Sequence, residues 1–217
     1  VFHMEKARGS DSAMTAHIER TSHPKNADES RTHLNRTLIE YPEGVKDRTA
    51  VIQHRLEHAG LKRKIGSNQV RAIRINLSGS PEDMTRIEAA GQLDAWCTDS
   101  LQYLFDTFGR ENIISAHLHM DEKTPHIHAT LVPIVQAART RRKKEDQVKR
   151  HYRKKSADIP RLCADDIMTR GRLKSYQDGY AKAMSHHGLQ RGIDGSEARH
   201  ISTQQYYRDL KKQSHEL

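Results

Sequence analysis

Twelve consecutive residues carry the chemistry most readily read from this chain: His117-Leu118-His119-Met120-Asp121-Glu122-Lys123-Thr124-Pro125-His126-Ile127-His128. In an extended strand, side chains two apart share a face, so His126 and His128 are neighbours, as are His117 and His119. A turn over 121–125 would close a hairpin and bring His119 opposite the His126/His128 pair. Three imidazoles gathered on one sheet face lose packing and repel one another once protonated, unless a cation holds them as neutral ligands. With an oxygen from Asp121 or Glu122, the three histidines suit Mn²⁺, Zn²⁺, Ni²⁺ or a similar ion, and three protein ligands leave positions open for a substrate. The order is not HExxH, in which two histidines and a base share a helix face, so a zincin peptidase is not supported. The bland alternative, solvated surface histidines, suits any single one of the 15 in this chain better than it suits the triple at this spacing.

Composition narrows the substrate. Lys and Arg number 37 against 28 Asp and Glu, a net charge of +9, so the chain gathers polyanions, nucleic acid above all, though an anionic membrane would also satisfy the charge. No apolar run approaches the roughly 20 residues that cross a bilayer, and the start lacks the order of a signal peptide, which places the expectation in the cytosol. Cys97 and Cys163 form no CxxC pair, against a disulfide framework or a Cys-based zinc ribbon. A basic protein with an open metal site suggests a phosphodiester: the cation polarises a nonbridging oxygen while something attacks phosphorus. Water would give hydrolysis, whereas a side chain would keep the bond's energy in a protein–DNA link. Tyr is the common choice, and Tyr41 is the first Tyr of the chain. A neutral His can also attack. From chemistry alone His17 reads first as a polar loop residue, and the choice between it and Tyr41 stays open.

These groups need elements to position them. The first forty residues read as a loop-rich arm, with Val1–His3 a remnant ahead of a natural start at Met4. Val45, Thr49, Ile52, Leu56 and Ala59 at helical spacing before Gly60 predict an amphipathic helix over 45–59. Period-two patterning over 70–77 predicts a strand with Ile73, Ile75 and Leu77 buried and Arg74 and Asn76 on the other side. Ser80-Pro81-Glu82-Asp83 opens one long helix that runs to Gly109 and should cover the sheet. Strands are expected over 113–120 and 126–134. Between Arg139 and Lys155 stand ten Lys or Arg against Glu145 and Asp146, predicting a basic loop, or a helix without an apolar face, that either meets DNA or is a solvated linker. Helical patterning returns over 161–169 and 172–187, where Leu173, Tyr176, Tyr180 and Met184 form a stripe, and a last helix is expected near Ser202. The fold class is α+β: a central antiparallel sheet bearing the three-His site, flanked by helices in a two-layer α/β arrangement.

The run His119-x-Asp121-Glu122-x-Thr124-Pro125-His126-x-His128 resembles the third motif of the MOBV relaxases, the Mob/Pre plasmid mobilisation proteins within the HUH endonucleases. Ala16-His17-Ile18-Glu19-Arg20 resembles their first motif and Ser30-Arg31-Thr32-His33-Leu34-Asn35 their second, in order. Gly188-Leu189-Gln190-Arg191-Gly192 and Gly195-Ser196-Glu197-Ala198-Arg199-His200 are similar to the end of the same domain. The likeness covers nearly the whole chain from Met4, and implies a relaxase domain over 4–217 with 139–155 as a basic loop or insertion. It implies an HUH relaxase-like fold and an enzyme that nicks one DNA strand at a plasmid or transposon transfer origin, forming a covalent 5′-phosphate adduct. His119, His126 and His128 carry over as metal ligands, with Mn²⁺ first and Mg²⁺, Ni²⁺ or Zn²⁺ as alternatives. His17 carries over as the nucleophile and Arg20 as a contact to the scissile phosphate. Asp121 and Glu122 match acidic positions near the metal, as general base, ligand orienters or outer partners. Arg31, Asn35, Arg63, Arg74, Arg141, Arg142, Lys143 and Lys144 are the candidate contacts to an origin hairpin and its single strand. Only Arg63 of Arg63-Lys64-Ile65-Gly66 matches the family's Arg-x-x-Arg element. A partner-binding region beyond Leu217 is expected to be missing. A metal-dependent hydrolase and a DNA-binding module with a structural metal are the competing classes.

Overall fold

The computed structural model describes residues 1–136 and 159–192. Alternating apolar residues build the centre: β1 (Phe2–Lys6), β2 (Arg36–Thr37), β3 (Ile73–Leu77), β4 (Ile113–His119) and β5 (His126–Leu131) form an antiparallel sheet in the order β1-β3-β5-β4-β2. β4 and β5 make the expected hairpin, pairing His119 with His126, Leu118 with Ile127, His117 with His128 and Ala116 with Ala129. One face therefore shows histidines and the other shows Ala116, Leu118, Ile127 and Ala129, all at most 1% exposed. Ile73, Ile75 and Leu77 extend that buried face, as their spacing predicts.

Helices cover the apolar face. Ser80 caps α3 (Pro81–Ala89) by accepting from the backbone N–H of Asp83, with Pro81 in the first turn. The single long helix expected here is two: Gly91, at φ +66°, ends the first, and α4 (Leu93–Phe108) begins after it. A left-handed residue is cheap only for glycine, and the break lets Met84 and Ile87, then Trp96 and Leu104, each face the sheet. The region expected as a helix over 161–169 opens as a strand, β7 (Arg161–Leu162), paired with β6 (Ile134–Val135). It continues as the short α5 (Ala164–Ile167). In α6 (Arg170–Ala183), the stripe of Leu173, Tyr176 and Tyr180, with Met184 just beyond, packs on the core, and the Tyr103 hydroxyl donates to the Tyr176 carbonyl at 2.7 Å. The Arg139–Lys155 segment and the helix expected near Ser202 lie outside the described residues.

The N-terminal arm is more ordered than its polarity predicts. Phe2, in the stretch expected as a remnant, is buried in the sheet edge with its ring 5.6 Å from that of Tyr180 and 6.1 Å from that of Tyr103. Edge strands mix polar and apolar residues, so β1 shows only a short period-two signal. After it, α1 (Ser12–Ile18) lies across the histidine side of the sheet, next to α2 (Arg48–Glu57). α2 starts at Arg48 rather than 45 because Asp47 supplies the cap, accepting from the Ala50 N–H. Arg48 is fully buried and ties three elements: it donates to Thr130 Oγ1 at 2.7 Å and Thr15 Oγ1 at 3.2 Å, and pairs with Asp11 at 2.8 Å. Thr130 stands two residues along β5 from His128, so Arg48 fixes α1 against the strand that carries the histidines. Under α2, Val51, Ile52 and Leu56 join Ile114, Val132 and Ile134 in a second, smaller apolar cluster.

Candidate active site

Four imidazoles converge above β4 and β5. The ring of His119 lies 5.2 Å from that of His126 and 4.8 Å from that of His128, and the His126 and His128 Nε2 atoms are 3.0 Å apart. The fourth is His17, from the last turn of α1, with ring centroids 5.9 Å from His119 and 5.6 Å from His128. Two backbone carbonyls fix which nitrogens face inward. His126 Nδ1 donates to the Thr124 carbonyl at 2.8 Å, leaving Nε2 as the lone-pair atom. His119 Nε2 donates to the Ile18 carbonyl at 2.9 Å, leaving Nδ1. Imidazoles anchored by carbonyls with their other nitrogen turned to a common centre are arranged as cation ligands are. His126 and His128 share a proton or a cation across their 3.0 Å contact, and the donor atoms of His119, Glu122 and His126, like those of His17, His119 and His128, lie within 4.8 Å of one another. The donor set thus fits a divalent ion.

Burial, then the neighbouring His126 and Arg20, pulls the His119 imidazole down to about 3. Burial first and the surrounding histidines next put His128 well below the ordinary value. His17 is also lowered, by burial, with Glu122 pulling the other way. Neutral imidazoles are the form that binds metal and attacks phosphorus.

Arg20 and Asp121 organise the site from behind. Asp121 is 1% exposed and receives Arg20 Nε at 2.8 Å and Nη2 at 2.7 Å, Asn35 Nδ2 at 2.8 Å and Thr32 Oγ1 at 3.1 Å. Burial alone would raise its carboxyl; the hydrogen bonds from Arg20, Asn35 and Thr32 outweigh that and hold it below the usual range. Asn35 Oδ1 also accepts the Met120 N–H at 2.7 Å. One carboxylate therefore joins all three sequence motifs. Arg20, at φ +54°, donates further to the His17 carbonyl at 2.6 Å and to Glu122 Oε1 at 2.8 Å, and its Nη2 lies 3.0 Å from His119 Nδ1. Its guanidinium is thus bound within the protein, and Asn35 likewise spends its amide on the 120–121 turn. Glu122 faces the cluster: Oε1 lies 3.7 Å from His17 Nε2, 3.8 Å from His119 Nδ1 and 3.9 Å from His126 Nε2, while Asn26 donates to Oε2 at 2.7 Å.

Tyr41, the other candidate nucleophile, belongs to a neighbouring network. Its hydroxyl donates to Glu19 Oε1 at 2.7 Å and lies 3.0 Å from His117 Nε2, outside the three-histidine group. Burial and the Glu19 carboxylate raise its pKa far above the usual phenol value. Arg63 is exposed in the loop between α2 and β3, Arg31 is half-buried beside the Asp28 turn, and Arg74 pairs with Glu5 at 3.1 Å. Arg141, Arg142, Lys143 and Lys144 lie outside the described residues. A cleft of about 330 Å³ opens beside the cluster, lined by Arg20, Asn35, Arg36, Tyr41, Lys46 and His119 among others. Sequence reasoning did not single out Asn26, Thr32 or Arg48. Thr32 lies inside the second motif, but Asn26 and Arg48 stand in no pattern that links them to 122 or 130.

The chain belongs to the Mob_Pre family, described as plasmid recombination enzyme, which matches residues 1–208. It is 29% identical over 212 residues to a 65 kDa protein of Zymomonas mobilis, covering 97% of this chain and 32% of the relative. It is 28% identical to a plasmid recombination enzyme of Bacillus thuringiensis, covering 95% of this chain and 42% of that protein. The chain thus spans well under half the length of these curated relatives. Among solved structures it is similar in fold to the Mn-bound MobM relaxase domain (MOBV; Mob_Pre) in complex with plasmid pMV158 oriT DNA. The TM-score is 0.74 at 24% identity, over 96% of this chain and 98% of the other. The central sheet with flanking helices expected from sequence is the fold observed.

Proposed function

We propose that this chain is the catalytic domain of a DNA relaxase acting in the bacterial cytoplasm. It nicks one strand at a plasmid or transposon transfer origin and keeps the 5′ end as a covalent adduct. The observation that carries the reading is the seating of His17 against the three histidines of the β4–β5 hairpin, its ring 5.6 Å from His128. His17, His119 and His128 also offer donor atoms within 4.8 Å of one another, so a ligating His17 would close a structural site, and the covalent adduct is what separates that reading from this one. Membership of a plasmid recombination enzyme family and the Mn²⁺ and oriT DNA bound by MobM support the substrate and the ion.

His119, His126 and His128 would hold the cation, Mn²⁺ in the first place, with Arg20 Nη2 giving up its 3.0 Å contact to His119 Nδ1. When bound, it supplies charge to a nonbridging phosphate oxygen. A ring nitrogen of His17 attacks phosphorus, a P–N bond forms, and the bond from phosphorus to the 3′ oxygen of the preceding nucleotide breaks. The proton lost from His17 passes to Glu122, 3.7 Å from its Nε2, and from there to the departing oxygen, which leaves as a 3′ hydroxyl. Nothing is consumed, so attack by a 3′ hydroxyl reverses the step and reseals or transfers the strand. Arg20 acts by holding Asp121, Glu122 and the His17 backbone in register. Residues 4–217 are read as one relaxase domain, with the Arg139–Lys155 segment as its basic loop on DNA.

Supercoiled plasmid bearing the cognate origin, incubated with Mn²⁺ with and without chelator and then denatured, tests the reading. Metal-dependent nicking with protein joined to the 5′ end is expected, both abolished by His17→Ala. Nicking with no adduct would favour a hydrolase, and binding without nicking a structural-metal module. An adduct that survives His17→Ala and disappears in Tyr41→Phe would reassign the nucleophile.

A further inference from the structure

A second group of metal-binding side chains lies on the opposite side of the sheet, where the end of α6 meets α4. Asp99, from α4, directs one carboxylate oxygen at two imidazoles: Oδ2 lies 2.8 Å from His186 Nε2 and 2.7 Å from His187 Nε2. The two rings are adjacent in sequence, with centroids 4.0 Å apart, and all three donor atoms lie within 4.8 Å of one another. His187 is buried at 4% exposure, whereas the side chains of His186 and Asp99 are 59% and 39% exposed. The group therefore has one wall in the protein and one side open to water.

The backbone beneath it is held firmly. Arg86 Nη2 donates to the His187 carbonyl at 3.0 Å and also pairs with Asp83. Gly188 follows at φ +76°, where a Cβ would lie 2.6 Å from Arg86 Nη2. Arg86 thus binds the main chain rather than the carboxylate, and leaves Asp99 to the imidazoles.

We propose that Asp99, His186 and His187 form a further metal site, which takes a borderline cation such as Zn²⁺ or Ni²⁺ and staples the end of α6 to α4. Two imidazole nitrogens and a carboxylate oxygen are a donor set of the kind zinc prefers, with water completing a tetrahedron. At ligand distances of about 2.0–2.1 Å the edges of that tetrahedron are about 3.3 Å. Both nitrogens must lie about half an ångström farther from the oxygen they now share, a shift that the exposed Asp99 carboxylate makes away from buried His187 and the exposed His186 ring makes away from Asp99. Metal here would secure the segment that carries the buried Leu189 against Gly79, closing the core on the side away from His17. The site does no chemistry on DNA and would be felt as stability.

Zinc binding to the whole chain, measured in competition with a chromophoric chelator, tests this. The parent protein should bind one equivalent that His186→Ala and Asp99→Asn each weaken by about 10- to 100-fold or more, while His126→Ala leaves it in place. Both test residues are partly exposed, so neither substitution disturbs the core; the same samples should melt as the parent does without zinc and lose the part of its zinc-dependent rise in Tm that His126→Ala retains. A zinc equivalent on the stacked pair of His54, in the last turn of α2, and His58, just past it, whose rings are 4.2 Å apart, is indifferent to both substitutions. If zinc affinity, stoichiometry and the rise in Tm are the same in His186→Ala, Asp99→Asn and the parent, the three residues are a hydrogen-bonded cluster and the proposal fails.

Discussion

The two faces of the β4–β5 hairpin are made by the same two strands and do opposite work. On one, Ala116, Leu118, Ile127 and Ala129 pack beneath α3, α4 and α6 with at most 1% of their surface exposed. On the other, His117, His119, His126 and His128 meet α1 and the motif loops. The apolar face is tolerant of chemistry, since any shape that fills the space stabilises the fold. The histidine face is built from fixed hydrogen bonds: His119 on the Ile18 carbonyl and Arg20, His126 on the Thr124 carbonyl, and His117 on the Tyr41 hydroxyl. Stability and reactivity are thus separated by one residue of register, and a slip of one would exchange them.

Four changes probe this separation, in decreasing order of expected effect. His17→Ala should lower formation of the covalent adduct by about 10³-fold or more, because no other nucleophile replaces it, while the thermal midpoint stays near that of the parent. A comparable loss of stability would mean that His17 belongs to the packing. Leu118→Ala should cost about 3 kcal/mol in urea unfolding, yet nicking per folded molecule should remain close to the parent's. If activity falls as steeply as stability, the faces are coupled through the strand. His128→Ala should weaken Mn²⁺ binding, read by titration calorimetry, by about 100-fold, about 3 kcal/mol of binding energy, with a smaller effect on unfolding. Asn35→Ala should cost about 1–2 kcal/mol of stability, since the Met120 N–H and the Asp121 carboxylate each lose a partner. A milder decline in Mn²⁺ affinity should accompany it; an unchanged affinity would show that the 120–121 turn holds its shape without Asn35.

The legible parts of the molecule are those that depend on neighbours in sequence. The hairpin could be read because its strands alternate and its turn is short, and His119, His126 and His128 followed from that alternation. The break at Gly91 was missed because apolar spacing continues across it, and only a left-handed backbone there reveals two helices. Phe2 was missed as a core residue because its partners, Tyr103, Tyr176 and Tyr180, lie a hundred or more residues away. Arg20 and Asn35 are placed on phosphate and DNA by the motif resemblance alone. Their engagement with Asp121 depends on contacts across 101 and 86 residues, which carry no local pattern.

What the sequence determined by itself was the chemistry available: a hairpin with three histidines and two acids at strand spacing, in a basic chain, with His17 and Tyr41 as rival nucleophiles. Periodicity and residue type suffice for that, since both are local. The tertiary structure decided which of these groups meet. Buried Arg48 sets α1 on the histidine face, Asp121 gathers the three motifs, and the pairing of Tyr41 with Glu19 and His117 takes it out of the cluster that His17 enters. Such choices rest on long-range hydrogen bonds whose strength comes from burial, and burial exists only once the chain has folded.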